Sequence, residues 1–203
     1  MSEDFSRFDS DRLFALKNAH SGYRLCPRCG TTLVERPLDG HPRLICPDES
    51  CGFVFYQNPT PAAGAIVVEA GRILLVKRAH PPRIGWWCFP AGFMEWQEHP
   101  AQTAVREVEE ETGLKIELTR FFQVYSGNDD PRTNALLILY LACAVGGDLR
   151  AADDALEVAW FAPDSPPTEI AFLSHRQALA DYLNFVATGE LPPPLPGEVQ
   201  LPA

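Results

Sequence analysis

The stretch "REVEEETG" at residues 106–113 constrains the structure of this chain more than any other segment, because it places four glutamates between positions 107 and 111. A helix would bring Glu107, Glu110 and Glu111 onto one face, since they are spaced i, i+3 and i+4. Like charges at these spacings cost about 0.2–0.5 kcal/mol per pair. Gly113 is predicted to be the residue just past the C-terminal end of the helix, where the helix dipole disfavours anions. A divalent cation would remove both costs, so the stretch predicts a metal site.

The helix that carries these acids is predicted to run from Pro100 to about Thr112. Proline suits the first turn of a helix, where no N–H donor is needed. Glu109 lies off the acidic face and is expected to be exposed to solvent. The alternative for the whole stretch is an acidic helix face that binds nothing. An apolar stripe is predicted on the opposite side of the helix, formed by Ala101, Ala104, Val105 and Val108.

Length and charge limit the classes of function. The 203 residues suffice for one domain of ordinary size and a small extra module. A net charge of −10 argues against broad nucleic-acid binding, which needs a basic surface. No apolar run is long enough to span a membrane, and the N-terminus is polar. We therefore expect a cytoplasmic protein without a membrane partner.

The chain divides into four segments by composition. Residues 1–22 form a lead-in with a short helix predicted at "RLFALKNA", residues 23–57 hold a cysteine cluster, 58–190 form the main domain, and 191–203 are a proline-rich tail. In the main domain we predict a hairpin around Glu69–Arg72 and strands at "KIELTRFFQVY", "ALLILYLACAV" and "VAWFA". A helix is predicted over "SHRQALADYLNFVAT" with Ser174 as its N-cap.

Mixed strands and helices predict an α+β fold, or an α/β/α sandwich. Three aromatic residues and two isolated cysteines are expected in the core or its walls: Trp86, Trp87, Phe93, Cys88 and Cys143.

The other four cysteines predict a structural zinc site. They form C-x2-C, sixteen residues and C-x4-C, and a glycine follows the second cysteine of each pair. Four cysteines at such spacing are typical of a closed tetrahedral site, which leaves no position for catalysis. The charged side chains of residues 23–57 cancel, so we expect a role in folding or in a homodimer interface and no nucleic-acid binding. The expected ligands are Cys26, Cys29, Cys46 and Cys51.

The spacing around the acidic helix resembles one family. Gly92, five residues, Glu98, seven residues and then "REVEEETGL" match at every fixed position the Nudix hydrolase pattern G-x5-E-x7-R-E-U-x-E-E-x-G-U, where U is a bulky aliphatic residue. The resemblance implies a Nudix α/β/α sandwich with a mixed sheet, preceded by a small zinc ribbon. We call the segment from Gly92 to Leu114 the Nudix box.

The resemblance also implies roles for single residues. Mg2+ or Mn2+ would be held by the carbonyl group of Ala91 and by the three acids Glu107, Glu110 and Glu111. Glu98 and Gly113 are further fixed positions, and Gly92 is expected to allow a tight turn before the helix. Val108 and Leu114 should face the core. Arg106 is expected to pair with a neighbouring carboxylate and hold the geometry.

Two further assignments keep alternatives open. Glu110 and Glu111 are candidates for the general base, and a third candidate is Glu157, which precedes "AWF" with Asp153 and Asp154 behind it. The alternative for Glu157 is an acid on a surface loop. Arg78 either binds a substrate phosphate or is an exposed charge at the end of a strand.

Two groups of Nudix proteins combine a zinc ribbon with this domain. NADH pyrophosphatases carry a Ser-Gln-Pro-Trp stretch after the box, and residues 115–145 lack it. Pyrophosphatases of ADP-ribose and FAD share the "YQNP" junction at residues 56–59 and a late "AF-x-SHR-x-AL-x-DYL" helix. They often have a proline about sixteen residues past the box, and Pro131 lies near that point.

The expected activity is therefore Mg2+-dependent hydrolysis of a nucleoside diphosphate linked to another group. ADP-ribose or a dinucleotide such as FAD is the leading substrate, and the products would be a nucleoside monophosphate and a second phosphate compound. The enzymatic alternative is hydrolysis of NADH or of NAD-capped RNA. The non-enzymatic alternative is a Nudix module that senses a ligand, although such modules usually lose the acids that this chain keeps.

Overall fold

The computed structural model describes residues 23–130 and 133–193 of the chain. These described residues form two compact units, one within Met1–Pro59 and Pro131–Thr133 and the other within Thr60–Asp130 and Asn134–Ala203. The helix predicted at "RLFALKNA", Pro131 and the tail from residue 194 onward lie outside the described residues.

The first unit contains a small antiparallel sheet. Its strands β1 (Val34–Leu38), β2 (His41–Ile45) and β3 (Val54–Phe55) pair in that order. Cys26, Leu33 and Cys46 form its buried cluster. So few apolar side chains stabilise a fold only weakly, and units of this size usually need disulfides or a metal ion.

The second unit is built on a mixed sheet. The strand order is β10-β5-β4-β9-β8, with β6 beside β5 and β7 beside β4. β4 and β9 are parallel, and the other pairs are antiparallel. The strands are β4 (Thr60–Glu69), β5 (Arg72–Arg78), β6 (Trp87–Cys88), β7 (Ala91–Phe93), β8 (Leu114–Gly127), β9 (Ala135–Gly147) and β10 (Ala155–Phe161).

The predicted hairpin joins β4 and β5. Glu69 pairs with Arg72 across a two-residue turn in which Ala70 and Gly71 have φ values of 48° and 75°. Two positive φ values in such a turn match the right-handed twist of the flanking strands. The hairpin prediction is confirmed.

Two helices cover the opposite faces of this sheet, α1 (Pro100–Thr112) and α2 (Leu173–Thr188). Because side chains alternate along a strand, Ala65 and Val67 of β4 pack with Val108 of α1, while Ile66 packs with Leu179 of α2. This confirms the α/β/α sandwich. Among the described residues, no helix is long and apolar enough to cross a membrane.

The predicted N-cap of α2 is wrong. The N-cap lies two residues earlier than expected, at Phe172, and Ser174 is buried in the first turn of the helix. Phe172 makes no side-chain cap; instead the carboxylate of Asp129 accepts the N–H of Leu173 at 2.9 Å with both oxygens. A cap contributed by a distant loop leaves no local sequence signal.

The predicted wall residues divide into buried and exposed positions. Trp87 and Cys88 are buried as expected, whereas Trp86 is 36% and Phe93 44% exposed. Trp86 and Trp87 are successive residues, so in an extended chain their side chains point to opposite sides. Cys143 is only partly buried, near the end of β9.

Candidate active site

The acidic helix α1 has defined caps at both ends. Nδ1 of His99 accepts the N–H of Ala101 at 3.2 Å, and Oε1 of Gln102 accepts the N–H of His99 at 2.8 Å. At the other end Gly113 has φ 72° and donates its N–H to Glu109. The predicted helix, including its start at Pro100 and its stop, is confirmed.

A loop covers the end of α1 where the dipole disfavours anions. The N–H of Arg150 donates to the carbonyl of Thr112 at 2.9 Å, and the N–H of Ala152 donates to that of Glu111 at 3.1 Å. These donors pair with two carbonyl groups that the helix itself cannot satisfy. Part of the expected dipole cost is therefore removed by the chain itself.

Arg106 joins the acids of α1 to the loop before it. Its Nη1 lies 2.7 Å from Oε1 of Glu107 and 2.8 Å from Oε2 of Glu110. Its Nε and Nη2 contact the two oxygens of Glu98 at 2.6 and 2.9 Å. The expected pairing of Arg106 with a neighbouring carboxylate is present, and it extends to three carboxylates. The like-charge cost on the helix is therefore reduced without an ion.

Glu98 is held firmly in its charged form. Hydrogen bonds from Arg106, from the N–H of Glu95 and from the hydroxyl of Thr103 lower the pKa of its carboxyl to about 2. These contacts fix Glu98, the glutamate of the Nudix box, within the loop between β7 and α1.

Glu111 is buried at the junction of α1 and β7. Its Oε2 accepts the N–H of Ala91 at 3.1 Å. Burial raises the pKa of this carboxyl well above its ordinary value, and the charge of Glu107 adds to the rise. Two adjacent acids with raised pKa values, one of them buried, form a site where a cation would be stabilised.

Gly92 serves a different purpose from the tight turn that was expected. It lies within β7 in an ordinary backbone conformation, so the turn prediction is wrong. A Cβ atom at this position would overlap the carboxylate of Glu107. Burial raises the pKa of Glu107, and the hydrogen bond from Arg106 opposes that rise. A side chain at residue 92 would therefore displace the carboxylate of Glu107.

The three predicted acids differ in their surroundings. Glu111 is buried, Glu107 is partly buried, and Glu110 is exposed like Glu109. Among residues 23–130 and 133–193, the four cysteines are the only group of three or more potential ligands whose atoms lie within 4.8 Å of one another. The acids therefore do not converge as the cysteines do. The pair Glu107 and Glu111 beside Ala91 still fits a hard cation in chemistry, because all its donors are oxygens.

Arg78 lies at the end of β5 and is partly buried. Its Nε donates to the carbonyl of Pro82 at 3.0 Å, and its Nη2 donates to that of His80 at 3.3 Å. Its charge lowers the pKa of Glu111, against the effect of burial. Burial raises the pKa of the Cys88 thiol to about 12, with a further rise from Glu111 and an opposing effect of Arg78. Arg78 is thus partly buried and held by the loop after β5, and its contact with a substrate phosphate stays a prediction.

Glu157 lies within β10, so its alternative as an acid on a surface loop is wrong. The strand begins at Ala155, earlier than predicted, and Glu157 pairs with Lys77 of β5. Oε2 of Glu157 lies 3.1 Å from Nζ of Lys77, and its side chain is 54% exposed. Among the late acids it is Asp154 whose charge raises the pKa of Glu111.

Two residues near the site were missed by sequence reasoning. His175 of α2 is buried, and its Nδ1 accepts the N–H of Phe89 at 3.3 Å, two residues before Ala91. Burial lowers the pKa of His175 to about 3, with a further contribution from Arg78. Asp129 binds Arg83 and Arg176 besides capping α2. The "SHR" run contains His175, but nothing in it indicates the partner.

The four cysteines of the first unit converge. The Sγ atoms of Cys26 and Cys51 are 3.6 Å apart and those of Cys29 and Cys46 are 3.5 Å apart. Zn–S bonds of about 2.3 Å in a tetrahedron require S–S separations of about 3.8 Å. The extra length of the second pair therefore displaces no ligand, and the four thiols fit structural zinc.

The glycines after each cysteine pair adopt a backbone conformation that suits a tight turn. Gly30 and Gly52 have φ values of 76° and 63°, in the left-handed region that glycine adopts without strain. Each lets the chain turn tightly directly after a cysteine.

Comparisons with known families cover both units. The NUDIX domain model matches residues 58–182, and a model described as the Nudix N-terminal zinc ribbon matches residues 24–57. The first of these alone spans more than half of the chain.

Individual relatives agree with this match. An ADP-ribose pyrophosphatase of Methanocaldococcus jannaschii is 36% identical over 131 residues, which are 64% of this chain and 76% of the relative. A NAD-capped RNA hydrolase NudC of Pseudomonas aeruginosa is 31% identical over 179 residues, 86% of this chain and 60% of the relative. This chain thus spans less than two thirds of that relative.

A solved structure supports the same fold. The crystal structure of a NUDIX hydrolase from Nitrosomonas europaea superposes with a TM-score of 0.73 at 33% identity, over 83% of this chain and 94% of that one.

Proposed function

Because this chain belongs to the NUDIX family of pyrophosphohydrolases, we propose that it hydrolyses a nucleoside diphosphate linked to another moiety, with ADP-ribose as the leading substrate and a dinucleotide such as FAD next. The products would be a nucleoside monophosphate and a second phosphate compound. The observation that carries the proposal is the buried carboxylate of Glu111, fixed by Ala91 beside Glu107. A buried acid next to a second acid is costly unless a cation or a reaction uses it.

The proposed ligands of Mg2+ or Mn2+ are the carbonyl group of Ala91 and the carboxylates of Glu107, Glu110 and Glu111. When bound, the ion supplies charge neutralisation on the diphosphate and a lower pKa for the attacking water. Arg106 holds Glu107 and Glu110 at a fixed spacing from Glu98. This positioning matters, because phosphoryl transfer depends mainly on geometry and electrostatics.

Proton transfer from the attacking water is assigned to Glu110 or Glu111, the two acids in the last turns of α1. The catalytic role of Glu157 stays a prediction. Its ion pair with Lys77 offers a structural role for the same residue. A phosphate contact is proposed for Arg78, since one guanidinium group can donate two parallel hydrogen bonds to a phosphate. The charge of Arg78 also lowers the pKa of Glu111.

The runner-up activity is hydrolysis of NADH or of NAD-capped RNA. The NudC relatives favour it, because the match to one of them extends over 86% of this chain. A ligand-sensing module without catalysis is the remaining alternative, and no substituted acid in the Nudix box favours it.

A hydrolysis screen with Mg2+ or Mn2+ separates these activities. The substrates are ADP-ribose, FAD, NADH, NAD-capped RNA, diadenosine polyphosphates and nucleoside triphosphates. We expect the highest kcat/KM with ADP-ribose and the appearance of AMP. Reaction in 18O-labelled water shows which phosphorus is attacked. No turnover of any substrate would refute the enzymatic proposal.

The matched variants are Glu111→Gln and Glu109→Gln, which remove the buried acid and an exposed acid of the same helix. We expect Glu111→Gln to lower kcat by about 100- to 10,000-fold, the range for a positioned acid–base group. Glu109→Gln should retain wild-type turnover. Equal activity of both variants would contradict the assignment of Glu111.

Three further expectations belong to this proposal. Zinc bound by the four cysteines would stabilise the first unit and take no part in catalysis, because all four positions are filled by thiolates. A homodimer and a cytoplasmic location stay predictions. Light scattering tests the first, and fractionation of cells with an antibody against the chain tests the second.

A further inference from the structure

Two residues with unfavourable backbone conformations contact each other beside the proposed active site. Arg83 has φ 65°, and Phe172 has φ 58° with ψ 144°. The guanidinium carbon of Arg83 lies 5.4 Å from the centre of the Phe172 ring. Such conformations are strained for residues other than glycine and cluster at functional sites. The loop between β5 and β6 therefore presents Arg83 in a strained but fixed position.

The side chain of Arg83 has donors to spare. Within the described part of the chain, its one hydrogen bond runs from Nη2 to Oδ2 of Asp129 at 2.8 Å. A guanidinium group has five N–H donors, so most of them have no protein acceptor there. The side chain is 26% exposed, and its guanidinium lies 5.4 Å from the ring centre of Trp86. It is thus held between two aromatic rings and still open to a ligand.

Positive charge accumulates around this position. The guanidinium groups of Arg83 and Arg176 share the carboxylate of Asp129, and Arg78 lies 4.9 Å from the ring centre of Phe172. Among the described residues, Asp129 is the one carboxylate in ion-pair contact with this group: it contacts Arg83 and Arg176, and Arg78 forms no ion pair. Two positive charges therefore remain uncompensated by contact in a chain whose net charge is −10. A surplus of this sign favours an anionic ligand.

This cationic cluster borders the acids of α1. Phe172 contacts Arg83 and also Arg78, and it packs with Cys88, three residues before Ala91. His175, one turn into α2, contacts Phe172 and accepts the N–H of Phe89 in the segment that leads to Ala91. A ligand bound at the acids would therefore extend toward these guanidinium groups.

We propose that Arg83 is a substrate-binding residue whose guanidinium group contacts a phosphate of the diphosphate linkage, with Trp86 and Phe172 fixing its orientation. This inference rests on the proposed function and adds to it a second cationic contact for the diphosphate. Asp129 acts as a positioning residue, since it binds the guanidinium from the side of α2.

The test compares Arg83→Gln and Arg83→Lys with Arg72→Gln. Arg72 is exposed at the opposite end of β5, in the β4–β5 hairpin, and serves as the matched control. One measurement is the Kd of the non-hydrolysable α,β-methylene analogue of ADP-ribose, obtained by calorimetry with Ca2+. The other is KM and kcat for the best substrate of the screen. Thermal unfolding of each variant reports on folding.

We expect Arg83→Gln to raise Kd and KM about 10- to 100-fold, the value of one or two charge-assisted hydrogen bonds. Arg83→Lys keeps the charge but loses the flat, stacked group, so its Kd should fall between those of the wild type and Arg83→Gln. Arg72→Gln should match the wild type. If Arg83 has only a structural role, both Arg83 variants should have a lower melting temperature and an unchanged Kd. That result would overturn the inference.

The two proposals fail in different ways. A wild-type protein that turns over no substrate contradicts the proposed function, while the binding measurement still tests Arg83 because it needs no turnover. A wild-type protein that hydrolyses ADP-ribose, with Arg83→Gln equal to it in Kd and KM, contradicts the role of Arg83 alone. Absence of analogue binding by the wild type overturns the role of Arg83 and the choice of ADP-ribose as the leading substrate, while turnover in the screen still tests the enzymatic proposal.

Discussion

The carboxylate of Glu107 occupies the space that a side chain on Gly92 would fill. Gly92 belongs to β7 and Glu107 to α1, so the contact fixes the distance between the helix of acids and the strand that carries Ala91. The proposed metal site depends on this distance, because its donors come from both elements.

Replacing Gly92 with alanine should therefore displace Glu107. We expect kcat/KM to fall by about 100-fold, the typical effect of misplacing a reacting group by about 1 Å. The added methyl group should change the free energy of unfolding much less than kcat/KM, because it meets only the flexible end of the Glu107 side chain. Gly146→Ala is the matched control, because a Cβ atom there meets nothing within 4 Å. Equal activity of the two variants would show that Glu107 does not need its present position.

Glu111 should couple folding stability to pH and to metal ions. Its pKa is raised in the folded protein, so the stabilisation is complete below about pH 4.3 and is lost as pH rises through the folded value. In EDTA, the melting temperature of the wild type should therefore decrease relative to that of Glu111→Gln as pH increases from 4 to 8.

Added Mg2+ should reverse that loss in the wild type alone. Binding at 100 times Kd stabilises a folded protein by about 2.7 kcal/mol. Glu109→Gln, which changes an exposed acid of the same helix, should respond to Mg2+ like the wild type. An equal response of Glu111→Gln would remove Glu111 from the proposed ligands.

His175 should make the folded protein sensitive to acid. Its pKa is lowered to about 3, mainly by burial, whereas an unfolded chain has a value of about 6.5. The neutral ring stabilises the fold fully above pH 6.5, and this contribution is lost as pH falls from 6.5 toward 3. Denaturant titrations between pH 7 and 4 should give a steeper loss of unfolding free energy for the wild type than for His175→Gln. The control His41→Gln changes an exposed histidine and should lose unfolding free energy with falling pH as steeply as the wild type. If His175→Gln shows that same steep loss, His175 is not the group responsible.

The cysteine cluster should hold one zinc ion per chain. We expect Cys29→Ser to lose zinc, because the closed tetrahedral site needs four thiolates. Cys143→Ser is the control, since Cys143 lies in β9 outside the cluster. Elemental analysis of the purified proteins gives the metal content directly. Retention of zinc by Cys29→Ser would mean that the ion has other ligands.

Features set by neighbouring residues could be predicted from the sequence. Pro100 and Gly113 mark the ends of α1 correctly, and the turn at Ala70 and Gly71 follows from local backbone preferences. The convergence of the cysteines follows from their spacing and from the glycines after each pair.

Features set by distant residues could not be predicted in this way. The cap of α2 comes from Asp129, 44 residues before Leu173, and no pattern around Ser174 reveals it. The close contact at Gly92 comes from Glu107, a side chain of another element. Glu157 pairs with Lys77 across 80 residues, so its surroundings depend on strand order.

Arg106 contacts Glu98, Glu107 and Glu110 together, so the protein carries its own counter-ion for the helix of acids. The chain can then reach its final shape while divalent ions are scarce, and loading becomes a separate, reversible event. Ion supply in the surroundings would set how many molecules are active at a given moment, while the fold itself can form before the ion binds.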